Sequence, residues 1–208
     1  MLKKMTFRQL TATFVIAAST NSLLQADELT NWPCEQAFVA EVPAAVVWAG
    51  PEIVGLEQSW DKDQAVEVLV RQLVSPEYEV EMADKHIAGF AEKQRPEVKD
   101  RKLTLLFAGV ISQLNIQRQK ALNGIIRYAN GQAERANQLS EELDEMVRLQ
   151  EDGSPEAQQR LAIMQNEMEI KQRMFDERES FIQHLCTRPR LVEEKLGVLA
   201  RTIAYYLD

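Results

Sequence analysis

Between Leu122 and Leu185 the chain carries two runs of apolar and small residues that mirror one another. In the first run, Leu122, Ile125, Ala129, Gln132, Ala136, Leu139, Leu143, Met146 and Gln150 recur alternately three and four residues apart. In the second, Ala157, Leu161, Met164, Met168, Lys171, Phe175, Arg178, Ile182 and Leu185 keep the same alternation. This spacing is the seam of a coiled coil, in which every third and fourth residue of a slightly underwound helix meets its partner. Folding the chain at Gly153 and Ser154 sets Met146 against Leu161, Leu143 against Met164, Leu139 against Met168 and Ile125 against Ile182, so one register satisfies both arms. In that register Lys171 falls opposite Ala136 and Arg178 opposite Ala129, which lets each long stem lie over a small side chain with its charge at the edge. The spacing predicts an antiparallel helical hairpin over 122–185.

The flanking sequence is patterned for shorter helices. Asp61 and Asp63 precede Ala65, Val66, Leu69, Val70 and Leu73, a capped apolar face that Ser75-Pro76 stops. A second amphipathic stretch runs from about Glu77 to Gln94, with Val80, Ala83, Ile87, Phe90 and Ala91 on one face. Pro96 suits the first turn of a long helix whose Leu103, Phe107, Val110 and Leu114 lead into the hairpin. After the second arm, Pro189 predicts an interruption and a kink, beyond which Val192, Leu196, Leu199 and Ile203 resume the spacing. The expected fold is all-α: a bundle built from 61–121 and 186–208, with the coiled-coil hairpin projecting from it by roughly 40 Å at 1.5 Å per residue. Residues 27–60 differ in composition. They hold all three tryptophans, Trp32, Trp48 and Trp60, together with Pro33, Pro43 and Pro51, which exclude a continuous helix. An irregular segment with one helical turn, laid against the bundle, is expected there.

The first 26 residues read as a cleaved secretory signal: Lys3, Lys4 and Arg8, an apolar run from Leu10 to Ala18, and a polar stretch ending at Ala26. A retained membrane anchor is the competing reading. An exported chain of this kind goes to a bacterial periplasm or outside the cell. No later segment is long and apolar enough to span a bilayer. Cys34 and Cys186 are the only cysteines, and in an oxidising compartment two thiols pair, so a Cys34–Cys186 disulfide is expected, with free thiols or a metal pair as alternatives.

Without Lys3, Lys4 and Arg8 the chain has 21 basic and 32 acidic residues, a net charge of −11. Duplex nucleic acid and anionic lipid surfaces need clustered Lys and Arg, so neither is an expected partner. Glu141, Glu142, Asp144 and Glu145 near the hairpin tip make an acidic surface suited to a basic protein, and a solvated outer face is the plainer alternative. Trp32, beside Pro33-Cys34, is a candidate aromatic anchor for a partner. His86 and His184 could together hold a metal, but no Glu-x-x-His repeat accompanies them, and no cofactor or metal is expected. No nucleophile, phosphate loop or metalloprotease motif is present, and a two-helix stalk has no pocket in which to separate the pKa values of paired carboxylates. The sequence therefore predicts a non-enzymatic exported helical protein, an adaptor, accessory subunit or assembly factor that meets a protein partner through its hairpin. A ligand-binding or chaperone-like bundle using the Trp-rich segment is the second reading. The thin seam at Ala129, Gln132, Ala136 and Gln150 also leaves room for a homodimer of stalks.

Overall fold

A computed structural model of the chain describes residues 32–208. The leader reading at 1–26 lies outside the described residues. Five α-helices follow in order: α1 (Ala44–Val47), α2 (Gln64–Val74), α3 (Ala83–Ala91), α4 (Pro96–Asp152) and α5 (Pro155–Tyr205), and no strand occurs among the described residues. The expected all-α architecture is the one observed.

Local chemistry sets the helix boundaries. The Asp63 carboxylate accepts from the amides of Ala65 and Val66 at the start of α2, while Asp61 lies in a single 3-10 turn, Trp60–Lys62. The second short helix is briefer than its apolar face suggests. The chain is extended at Glu79, turns once at Val80–Met82 and is α-helical only from Ala83. Pro96 opens α4, and Gly153 closes it with φ +63, a left-handed conformation that costs glycine little. The Ser154 hydroxyl then accepts from the Ala157 amide and Pro155 takes the first position of α5.

The expected interruption at Pro189 is not found. Helix α5 runs unbroken through it, 51 residues in all, with Pro189 buried. A proline removes one intrahelical hydrogen bond, and in a helix held along its length by packing that single loss does not end the helix. Pro189 is buried at the stalk root, where it lines a cavity together with Leu122 and with Val39 of the crossing N-terminal segment, so the surrounding tertiary structure accommodates the local defect.

The core lies at one end of α4 and α5. Val66, Val70 and Leu73 of α2 and Ile87 of α3 pack with Leu103, Phe107, Val110 and Leu114 of α4 and Leu196, Leu199 and Ile203 of α5, all fully or almost fully buried. Gly109 permits the close approach of two of these elements: a Cβ there would sit 2.6 Å from Val70 Cγ2 and 2.9 Å from Trp60 Cδ2. Trp48 stacks on Phe107 with ring centroids 4.0 Å apart and planes 3° apart. Trp60 is buried in the same core. Two of the three tryptophans thus fasten the irregular segment to the bundle.

Candidate functional site

Beyond Leu114 and Leu196 the bundle core ends, and α4 and α5 continue as a two-helix stalk. From Ile125 to the turn this is about 40 Å at 1.5 Å per residue. The two arms meet in the register that their seams predict. The Gln132 side-chain amide donates to the Phe175 carbonyl at 3.4 Å and to Glu179 at 3.1 Å, and the Tyr128 hydroxyl donates to the Arg178 carbonyl at 3.1 Å. Along α4 burial falls toward the tip, whereas on α5 Ala157, beside the turn, and Met168 are buried. Leu122, Ile125, Ala129 and Gln132 are buried, whereas Leu143, also in the seam, is 49 % exposed. Two helices alone cover each other on one side only, so most of their surface faces solvent.

The four acidic residues singled out near the tip divide into two pairs. Glu142 accepts from Lys171 Nζ at 2.7 Å, and Glu145 pairs with Arg148 at 3.0 Å and Arg160 at 3.5 Å. The hydrogen bond to Glu142 holds the Lys171 ammonium above its usual range. Glu141 and Asp144 point away from this network and are exposed. Between 122 and 185 thirteen acidic residues stand against seven basic ones, a net charge of −6, so the stalk as a whole remains acidic.

One flank of α5 holds residues that the seam does not explain. Ile163, Ile170, Met174 and Phe181 are each 47–57 % exposed. Their seven, four, seven spacing places them on one stripe beside the seam. Two shallow grooves lie along this flank, one of about 470 Å³ lined by Ile163, Met164, Glu142 and Lys171, the other of about 220 Å³ lined by Met174, Phe175, Leu139 and Arg178. Nearer the bundle, Phe181 lies 6.0 Å from the Tyr128 ring. The heptad spacing was the available signal for this stripe, but the stronger seam next to it masks it.

At the stalk root the N-terminal segment crosses as a strap. Cys34 and Cys186 form a disulfide with Cα atoms 5.7 Å apart, and Gln36 donates to the Cys186 carbonyl at 2.7 Å. Helix α4 holds the strap by its main chain: Asn115 both accepts from the Val42 amide at 3.0 Å and donates to its carbonyl at 3.1 Å, and Arg118 donates to the carbonyls of Val39 and Ala40. Arg118 is almost fully buried and pairs with Glu193 at 2.6 Å. Nothing in the spacing of Asn115 or Arg118 distinguishes them from the other polar residues of α4, so this role was not legible. Trp32 is half-buried; its indole donates to the Gln36 carbonyl at 2.7 Å and its ring meets Phe38 edge-on at 5.2 Å. A cavity of about 690 Å³ opens between strap and stalk root, lined by Trp32, Val39, Val46, Leu122, Pro189 and Arg118 among others.

The two histidines are placed on different parts of the molecule. His86 Nδ1 lies 2.8 Å from the Tyr78 hydroxyl on the α3 side of the bundle, while His184 is exposed at the stalk root beside Phe181. Among the described residues no group of three or more His, Cys, Asp or Glu side chains is arranged to hold a metal ion. A second gathering of titratable groups, Tyr78, His86 and Lys195, is occupied structurally. Lys195 Nζ donates to the Ser75 carbonyl at the end of α2 at 2.6 Å and lies 5.6 Å from the Tyr78 ring centre, and burial pushes its ammonium below the usual range. Among the described residues no helix is long and apolar enough to cross a membrane. No family model matches the chain, and neither a curated protein nor a solved structure matches it.

Proposed function

We propose that the protein is an exported, non-enzymatic adaptor or assembly factor that reaches a protein partner with its stalk. The observation that carries this reading is the termination of the core at Leu114 and Leu196 while both helices run on as a pair. A bundle stabilised by its own core does not need such an extension, whereas a projecting helix pair presents a long, defined surface from few residues. The exposed acids Glu141 and Asp144 favour a basic partner, and the paired Glu142 and Glu145 contribute less to such a field because their charges are already matched. The Cys34–Cys186 disulfide fits the oxidising compartment to which a leader at 1–26 would deliver the chain. Capture from a periplasmic extract, with and without residues 125–182, tests the reading. Loss of one specific protein on deletion is expected, and unchanged recovery overturns it.

The cavity under the strap favours a second reading, in which the bundle binds a small ligand or an unfolded peptide beside Trp32. Tryptophan fluorescence titrated with such ligands separates the two. The stalk reading predicts no response, and the cavity reading predicts a response that is lost in Trp32→Phe, since Trp48 and Trp60 are committed to the core.

A further inference from the structure

The apolar flank of α5 needs an occupant, and its charge pattern specifies one. The groove nearer the tip is bordered by Glu142, Glu156 and Glu167 against Arg160 and Lys171, a net negative end. The groove nearer the bundle is bordered by Arg135, Lys171 and Arg178 against Glu142, a net positive end. A surface negative at one end and positive at the other is complementary to itself when two copies run in opposite directions, which is the isologous contact of a twofold dimer.

Length fixes where the axis must fall. On α5 the stalk extends from Pro155 to about Ile182, so two stalks overlap along their full length, without tip and bundle colliding, only if the axis crosses α5 at its midpoint, near Met168 and Glu169. In that register Ile163 of one copy meets Met174 of the other, and Arg160 meets Glu177. Glu167, the acid within the stripe, faces Ile170 and comes within reach of Arg173 of the second copy. Glu156 lies one turn from Arg178 of the second copy. The operation matches Ile163 with Met174 and Arg160 with Glu177, whereas Ile170 lies opposite Glu167 and Phe181 opposite Glu156, each acid within one turn of an arginine of the second copy. A face about 40 Å long and two helices, or about 20 Å, wide covers on the order of 800 Å² per copy, the area typical of a stable specific interface.

We propose that the stalk packs antiparallel against the stalk of a second copy of this chain, through the Ile163, Ile170, Met174 and Phe181 flank, about a twofold axis at its midpoint. The four helices then enclose the stripe, and the outward Glu141 and Asp144 stay accessible. This deepens the reading of the stalk as an interaction element by naming one thing it binds.

Light scattering on the disulfide-bonded chain over a dilution series tests the proposal. A dimer is expected for the unaltered chain, with a twofold fall in mass for Ile170→Asp/Met174→Asp. Both side chains are exposed in the single chain, so the variant keeps its helix content. The axis is tested separately by Ile170→Cys, which a short bismaleimide should link to its own copy, and by Ile163→Cys, which should not link. A monomeric unaltered chain, a dimer untouched by the double substitution, or linking at Ile163→Cys in place of Ile170→Cys overturns the proposal. The two readings fail separately: a monomeric chain removes self-association and leaves partner capture standing, whereas unchanged capture after stalk deletion removes the partner and leaves the dimer standing.

Discussion

Helices α4 and α5 pass through two environments, and the same seam chemistry gives different results in each. In the bundle, Leu103, Phe107, Leu196 and Leu199 are enclosed by α2, α3 and the strap and lose all contact with water. In the stalk, residues at equivalent seam positions touch one neighbour, and Leu143 remains about half exposed. Stability per apolar residue follows the number of sides from which it is covered, because burial stabilises by about 25 cal/mol per Å² removed from water. The bundle end therefore anchors the fold, and the stalk carries exposed apolar and charged surface available for contact.

Substitutions at matched positions should show this contrast directly. The largest loss is expected for Phe107→Ala, about 4 kcal/mol, since it opens a cavity in the core and removes the partner of Trp48. Urea unfolding measures it, and a cost below about 1 kcal/mol would place the anchor elsewhere. Next is Cys34→Ser/Cys186→Ser. The bridge spans 152 residues of sequence, and its loss should cost about 3 kcal/mol in the same assay. The Asn115 and Arg118 bonds should still hold residues 39–42, so protease cleavage after disulfide loss is expected to appear first at 32–38. In the stalk, Met168→Ala should cost about 2 kcal/mol and Leu143→Ala under about 0.5 kcal/mol. Equal costs at these two positions would mean that the seam at Leu143 is closed by something beyond the second helix.

At the bundle end a further, modest effect is electrostatic. Burial raises the Asp63 pKa, but Lys102 at 3.0 Å and the amides of Val66 and Ala65 outweigh it, and the carboxyl is held below its ordinary 3.8. A depressed folded-state pKa means that the stabilisation is present above about pH 3.8 and is lost as pH falls through the folded-state value. Asp63→Ala should cost about 1 kcal/mol at neutral pH and progressively less in acid. A cost independent of pH would assign the effect to helix propensity instead.

Much of the hairpin was legible because its information is local and periodic. The three-four alternation, the Gly153 turn and the Ser154-Pro155 restart each act within a few residues, and the match between two arms left one register. The Cys34–Cys186 pairing followed from there being two cysteines. The site was less legible. Of the four tip acids, the sequence could not separate Glu142 and Glu145, which meet basic residues of the other arm, from Glu141 and Asp144, which do not. The stripe at Ile163, Ile170, Met174 and Phe181 had a readable period, but whether it lay inside or outside depended on which side α4 occupied.

By itself, then, the sequence determined the all-α class, the hairpin and its register, because periodicity and turn chemistry are properties of neighbouring residues. Only the tertiary structure decided that Pro189 stays within a continuous helix, that Asn115 and Arg118 hold the strap by its backbone, and that one flank of α5 is left uncovered. Each of these depends on what a residue meets from a distant part of the chain. Such a contact can offset a lost hydrogen bond or leave an isoleucine in water without any change in the local pattern.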